Sequence, residues 1–500
     1  MGRKQQVDSQ YDQRHSKDVT DESKRRKFLR WVKAKVGIQE DPKEALRRQL
    51  SSSTRSSRES LESRDYSVAS TMYSTSTIPY LDQSLASSYN HHYSHAGRVI
   101  IIGAGIGGLC LAQGLKKHGI PFTVFERDPT PNFRTQGYRL RINSSGYKAL
   151  KANLSPEDFE VFLQSAGNFQ PGFKYVDAET GNAAPANAPF THKKNSIKHF
   201  FSADRAMLRS LLLTDLNENE LKYGHAFTRY EVLPNGRVQV CFDNGHSVEG
   251  TVVVGADGTT SRVRRQYLPR AAPLLDTDSG AIYGKTPITP AIERFFATES
   301  TTMIISENPK MSIVMEPCCN TQVNAAEFES GGWTGLPDLQ SYICWVLIAR
   351  AKHFHVRDHI TVQDLFAMTP AEMAGLSCEM TRHWNPQVRQ LLQYQSPEWC
   401  SFLRISTTSP DIRPWQSSPV TLMGDAVHTM VPAGIGCNTA LQDARALVHY
   451  FKEYGVGIDA IAAYERRMRE YGREAIAVSI DAGKQMFGLP PVEQMRPVMY

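Results

Sequence analysis

Three short runs in this chain are almost wholly apolar: Val99–Ile102, Phe122–Phe125 and Val252 to Val254. Unbroken runs rich in β-branched and aromatic residues suit strands covered on both faces, the condition of a parallel sheet between helices. Between the first two, Leu109, Leu111, Ala112 and Leu115 recur at helical spacing, which predicts strand, helix and strand in succession. Leu208, Leu211 and Leu212 mark a later amphipathic helix headed by Ala203-Asp204-Arg205, with Asp204 the expected cap. Residues 222–249 read as strands and a hairpin around Pro234-Asn235-Gly236-Arg237, an Asn-Gly turn signal.

The pattern changes between residues 280 and 405. Residues 282–286, 302–305, 312–315 and 341–350 have the composition of antiparallel strands. Residues 370–393 then read as helix and loop, and 458–483 as a final helical stretch. Arg139 and Arg141 alternate with apolar residues, so they share one face of a strand, either a ligand side or plain solvent. No internal repeat is visible. The expected architecture is α/β, with a nucleotide-binding part over 98–279, an inserted antiparallel β domain over 280–404, a return to the first part over 405–450, and C-terminal helices over 451–500.

The 500 residues exceed one typical domain. Their net charge of +6 is concentrated at one end: residues 1–97 hold 17 Lys/Arg against 12 Asp/Glu, the remainder 40 against 39. The body therefore lacks the basic field of a nucleic-acid binder. Residues 1–97 are expected to be a disordered extension, because residues 51–94 are crowded with Ser, Thr and Tyr and poor in Leu and Val. Within it, residues 24–38 (KRRKFLRWVKAKVGI) form a basic amphipathic segment that could rest weakly on an anionic membrane surface. Eight cysteines are scattered without metal-ligand or CxxC spacing, and no run is long enough to span a membrane. Reduced thiols and an intracellular, cytoplasmic setting without a metal are the expectation.

The chemistry begins where the first strand ends. Gly103-Ala104-Gly105-Ile106-Gly107-Gly108 is a GxGxxG turn, and Glu126 closes the second apolar run 23 residues after Gly103. In such a turn the first glycine, Gly103, permits the bend, Gly105 lets a diphosphate approach the backbone, and Gly108 lets the helix pack on the strand. The acidic residue suits an adenosine ribose hydroxyl. NAD and FAD fit this turn equally well.

Two further segments favour FAD. Residues 251–265 read TVVVGADGTTSRVRR, and residues 421–450 read TLMGDAVHTMVPAGIGCNTALQDARALVHY. Here the chain resembles the class A flavoprotein monooxygenases, the p-hydroxybenzoate-hydroxylase-like family, in which a G-A-D-G strand end precedes Ser and Arg. A G-D-A-x-H segment then leads through Pro and Gly to N-x-A-x-x-D-A-x-x-L. The matching residues are Asp257, Ser261 with Arg262, Arg264 or Arg265, Gly424 to His428, Pro432, Gly434, Gly436, Asn438, Ala440, Asp443, Ala444 and Leu447. The resemblance implies that Asp257 lies near the diphosphate and the NADPH path, and that Asp425 bonds the ribityl chain. It also implies that backbone amides from Gly436 through Cys437 to Asn438 face the flavin ring. Cys437 stands where many relatives have Ala, and the glycine stretch is one residue short. Residues 136–142 (QGYRLRI) resemble a segment that runs beside the flavin in a subgroup, which would place Arg139 and Arg141 there. Arg205 matches an arginine that reaches the cofactor. His428 reads as a structural histidine, packed below the flavin or bonded to a backbone group.

The resemblance implies bound FAD, NADPH or NADH as co-substrate, dioxygen, and an organic substrate against the 280–404 sheet. It implies hydroxylation or epoxidation of an apolar or phenolic small molecule in a specialised biosynthetic pathway, with the flavin carrying the chemistry. A flavin dehydrogenase or reductase, a halogenase of the same fold, and a non-enzymatic FAD-binding scaffold are the alternatives. The halogenase is disfavoured because no W-x-W-x-I-P signature is present. Oligomeric state is not legible.

Overall fold

The computed structural model describes residues 97–498 apart from 132, 134–137, 169–172, 185–199, 270–272, 297–299, 319–324, 334–335, 338–340 and 355–360. The expected disorder of the N-terminal extension, its amphipathic segment 24–38, and Gln136-Gly137 lie outside the described residues.

The apolar runs form the parallel sheet their composition predicts. Its five strands are ordered Val420–Leu422, Val252–Gly255, Val99–Ile102, Phe122–Phe125 and Leu221–Lys222, and every neighbouring pair is parallel. Each residue of the three inner strands is buried. Register aligns Ile102 with both Gly255 and Phe125, so the strands end together and their following loops gather at one sheet edge. Ligands of open parallel sheets bind at that edge.

A second sheet carries seven strands. Ser396–Thr408, Leu274–Pro287, Tyr342–Arg350, Lys310–Cys318, Thr301–Glu307 and Phe173–Asp177 lie in that order, with Arg496–Pro497 paired to Leu274–Pro287. All pairs are antiparallel except Thr301–Glu307 with Phe173–Asp177. The expected boundaries at 279/280 and 404/405 fall inside the strands Leu274–Pro287 and Ser396–Thr408. These strands continue as far as their shared ladder does, and a ladder respects hydrogen bonding rather than sequence composition. Phe173–Asp177 and Arg496–Pro497 also join the sheet from outside the expected insertion.

The two faces of this sheet differ. Ile282, Trp345, Leu347, Ile313 and Met315 point to one side, where Met373, Leu376, Val388 and Leu391 from the helices Pro370–Met380 and Pro386–Gln393 cover them. Ala281, Ile348 and Met303 point to the other and meet Ile476, Ile480, Met486 and Phe487 from the helix Ile458–Phe487. Fully burying one such side chain contributes about 1.5–3 kcal/mol. That second face, the inner one, also carries Glu316, which pairs with Arg139 and Arg141 of a three-stranded antiparallel sheet of Arg139–Ile142, Phe201–Asp204 and Gly167–Asn168.

Helices run further than periodicity alone suggests. The helix that carries Asn438, Asp443 and Leu447 spans Gly436–Tyr454 and stops at Gly455, whose φ is +76°. The final helix spans Ile458–Phe487 and stops at the left-handed Gly488. Glycine takes that conformation without steric cost, which makes it the natural terminator. Among the described residues no helix is long and apolar enough to cross a membrane.

Candidate active site: a cleft where three segments meet

The three glycines of the first turn meet different surroundings. Gly103 has φ +111°, and a Cβ there would lie 2.4 Å from the Ala256 carbonyl oxygen. A Cβ on Gly108 would lie 2.2 Å from the Gly103 carbonyl oxygen, so the helix Ile106–Lys117 can approach the strand only without a side chain. Gly105 is otherwise. Its backbone is extended (φ −74°, ψ 174°) and its Cβ would meet no atom within 4 Å. Nothing in the protein's own packing requires glycine there, and the open space is where a ligand would lie. The helix that follows has no side-chain cap and no acidic residue in its first turn, which leaves its amides and partial positive charge available to an anion.

That space belongs to a cavity of about 410 Å³ lined by Gly103, Gly105, Glu126, Arg205 and Asp257, among others. Five arginines (Arg127, Arg205, Arg209, Arg262 and Arg265) and three acidic residues (Glu126, Asp128 and Asp257) are among its lining. Glu126 accepts from the amides of Ala104 (2.7 Å) and Asp128 (3.0 Å), which orients its carboxylate at the strand end. Asp257 accepts from the amides of Arg262 (2.7 Å) and Val263 (3.2 Å) and from the Ser261 hydroxyl. Burial raises its pKa, and those hydrogen bonds oppose the shift. The three arginines of the second segment separate by role. Arg262 and Arg265 line the cavity, whereas Arg264 is buried and donates to the carbonyls of Thr259 (2.7 Å), Ala426 (3.0 Å) and Asp425 (3.3 Å). Arg264 thereby ties the second segment to the third.

Asp425 is accessible yet deep. Space opens onto it, while the surrounding protein raises its carboxyl pKa and the charges of His428, Arg205 and Arg264 pull it back. Gly436 stands beside it, with a Cβ there only 3.9 Å from Asp425 Oδ1. The helix beginning at Gly436 has no side-chain cap and no acid in its first turn, so its leading amides face the same cleft as Asp425. Asn438 is a clamp: its Oδ1 accepts from the Asn143 amide (2.8 Å), and its Nδ2 donates to the carbonyls of Arg141 (2.7 Å) and Gly434 (3.1 Å). Burial pushes the Cys437 thiol up to about 12, so near neutral pH it is a protonated packing group.

His428 is structural, and of its two expected settings, packing below the flavin or bonding a backbone group, the second is replaced by a carboxylate. It is fully buried and bonds Asp443 Oδ2 at 2.6 Å. Asp443 also accepts from the Gly424 amide (2.7 Å) and the Tyr471 hydroxyl. Burial pushes the imidazole pKa down, but Asp443 and Asp425 outweigh it and the net shift is upward. The pair fixes the Gly424 turn that presents Asp425.

Arg139 and Arg141 lie away from the cavity lining. Both pair with Glu316 of the large sheet, and Arg141 also donates to Thr301 (2.7 Å). Arg205 faces two ways, lining the cavity and stacking on Tyr138 at 5.2 Å, while Tyr138 packs edge-on against Tyr283 at 5.5 Å. Asp204, the expected cap, accepts from the amides of Ala206 (2.8 Å) and Met207 (3.1 Å). Its other oxygen accepts from the Tyr342 hydroxyl (2.6 Å) and the Lys285 ammonium (3.4 Å). Sequence reasoning missed Tyr283, Lys285, Glu316 and Tyr342, and named Tyr138 only as part of residues 136–142. For Tyr283 and Lys285 the one local signal is their alternation with Ile282 and Gly284 in the second half of the strand Leu274–Pro287.

The donor set fits FAD. The surplus of guanidinium groups matches a diphosphate, the open Gly105 leaves room for close approach, and Asp425 with the uncapped Gly436 helix start supplies an acceptor and amides further along.

Comparison with known proteins agrees. Residues 369–479 match the family described as FAD binding domain, and residues 101–154 that described as NAD(P)-binding Rossmann-like domain. The chain is 33% identical over 78% of its length to the dual O-methyltransferase/FAD-dependent monooxygenase CTB3 of Cercospora beticola, of which it spans about half (46%). It is 26% identical over 78% of its length to the FAD-dependent monooxygenase phnB of Penicillium herquei, covering 90% of that protein. Among solved structures, one of a protein described as an FAD-containing monooxygenase from Photorhabdus luminescens superposes with TM-score 0.65. It is 30% identical, over 78% of this chain and 98% of that one.

Proposed function

The chain belongs to the class A FAD-dependent monooxygenases, and on that premise we propose that it uses NAD(P)H and dioxygen to oxygenate an apolar or phenolic small molecule. The reaction is a hydroxylation or epoxidation in a specialised biosynthetic pathway. The observation that carries this reading is the convergence of three segments: Gly105 and Asp257 line one cavity, and Arg264 joins that wall to Asp425. Bound there, FAD would supply the electron transfer and oxygen chemistry that no side chain provides.

The chain's own residues bind, orient and exclude water. The amides after Gly105, with Arg205, Arg262 and Arg265, would hold the diphosphate, and Glu126 the adenosine ribose. Asp425 would accept from ribityl hydroxyls, and the amides of Gly436, Cys437 and Asn438 would face the pyrimidine edge. Gly103 and Gly108 shape the turn. Arg139 and Arg141, through Glu316, would hold the substrate sheet against the cofactor part. The tight inner face of that sheet would keep water from the reacting centre. Cytoplasmic residence and a weak lipid contact through residues 24–38 belong to the same proposal and rest on the sequence alone.

The test is NAD(P)H-dependent flavin reduction measured beside substrate-coupled dioxygen uptake in FAD-loaded protein, with aromatic compounds as trial substrates. Reduction without coupled oxygen insertion would make it a dehydrogenase or reductase. A halide requirement would make it a halogenase, and neither activity a scaffold. Asp425→Ala should purify colourless, and a fully loaded yellow variant contradicts the assignment of Asp425.

A further inference from the structure

Lys285 occupies an unusual position for a lysine. It lies on the inner face of the large sheet, two residues beyond Tyr283, with a side chain only 12% exposed. Its ammonium lies 4.1 Å from the centre of the Tyr342 ring and 4.3 Å from that of Trp399. Such a cage holds a cation by the negative ring faces. An ammonium has three donors, and among the described residues Lys285 meets a single oxygen acceptor, Asp204 Oδ2, at a long 3.4 Å. Asp204 is otherwise engaged, by two helix amides and the Tyr342 hydroxyl. Burial raises the Tyr342 pKa, so that phenol stays a donor to Asp204 and does not compete for the ammonium.

The location bears on substrate. Tyr283 packs on Tyr138, and Tyr138 on Arg205, which lines the cofactor cavity. Trp399, one wall of the cage, is 36% exposed, and the Lys285 side chain itself keeps 12% of its surface open.

We propose that Lys285 is a specificity-determining residue that receives an ionised oxygen, carboxylate or phenolate, carried by an aromatic substrate. The proposal rests on the monooxygenase reading for the statement that substrate lies on this face. The ring walls of Tyr283, Tyr342 and Trp399 supply apolar surface, and Lys285 adds a charge-assisted hydrogen bond that an unionised analogue forgoes. The rival role is a plain clasp between the sheet and the helix Arg205–Leu213, which would affect stability and leave selectivity alone.

The experiment is calorimetric titration of FAD-loaded protein with 2-naphthoate, with 2-naphthol below and above its ionisation, and with 2-methylnaphthalene. The wild type should bind the naphthoate or the ionised naphthol about tenfold or more tighter than the hydrocarbon, and which anion wins identifies the acid. Lys285→Met should remove that preference while keeping hydrocarbon affinity, and Lys285→Arg should restore much of it. Equal affinity for acid and hydrocarbon in the wild type overturns the proposal, as does an intact preference in Lys285→Met. A chain that takes up no FAD refutes the family reading; a loaded chain without acid preference refutes this one.

Discussion

The cofactor cleft and the inner face of the large sheet assemble polar groups by different means. In the cleft, Gly103, Gly105 and Glu126 come from one strand–helix–strand unit, and Asp257, Arg262 and Arg265 from one strand end and the short helix Arg262–Tyr267 that follows it. On the inner face, Lys285, Glu316, Tyr342 and Trp399 come from four strands, and each meets a partner more than fifty residues distant or a ring across the sheet. The cleft works through backbone amides and fixed turns, so its demands are local. The sheet works through side chains brought together by register, and a substitution there breaks a long-range contact.

The contrast can be tested from its strongest consequence downward. Glu316→Ala removes the carboxylate that pairs with Arg139, whose side chain is fully buried, and with Arg141 beside it. Removing one partner of a buried ion pair costs about 3–5 kcal/mol, so chemical denaturation should show a large loss even in FAD-free protein. Trp345→Ala on the opposite face deletes a fully buried ring whose Nε1 donates to Thr286 (3.1 Å). It should also cost about 3–5 kcal/mol, with flavin content per folded molecule unchanged. Equal flavin loss in both variants would mean that the two faces are not separable.

Gly105→Val probes the cleft alone. Because a Cβ there meets nothing, the apoprotein should melt as the wild type does. Overpacking of about 1–3 kcal/mol against a bound cofactor should weaken FAD by about 5- to 150-fold, measured by fluorescence titration. Unchanged FAD affinity would remove this turn from the site.

The smallest effect concerns His428. Its folded-state pKa is raised above the ordinary 6.5 by Asp443. The stabilisation is therefore fully present below that ordinary value and is lost as pH rises through the folded pKa. Thermal stability should fall across that range by at most about 1.4 kcal/mol per pH unit, and His428→Asn should flatten the slope. A slope unaltered by the substitution would mean that the histidine is neutral in the fold.

Unbroken apolar runs and glycine spacing were enough to read the parallel sheet, the nucleotide turn and its acidic strand end. Each depends on residues within about one supersecondary unit, where periodicity and backbone constraint act directly. Asp204 as a cap was legible for the same reason, since a cap needs only the next three residues. Other assignments needed three dimensions. Nothing local distinguishes Arg264, a clasp on the third segment's carbonyls, from Arg262 and Arg265 of the cavity wall. Arg139 and Arg141 were read as sharing a face, but their partner Glu316 lies some 175 residues away. The strands Phe173–Asp177 and Arg496–Pro497 joined a sheet that composition had confined to 280–404. Sequence alone determined which segments could bind a dinucleotide, because backbone geometry is written in neighbouring residues. Tertiary structure decided which charges meet and which rings enclose Lys285, because ion pairs and aromatic cages depend on distance in space.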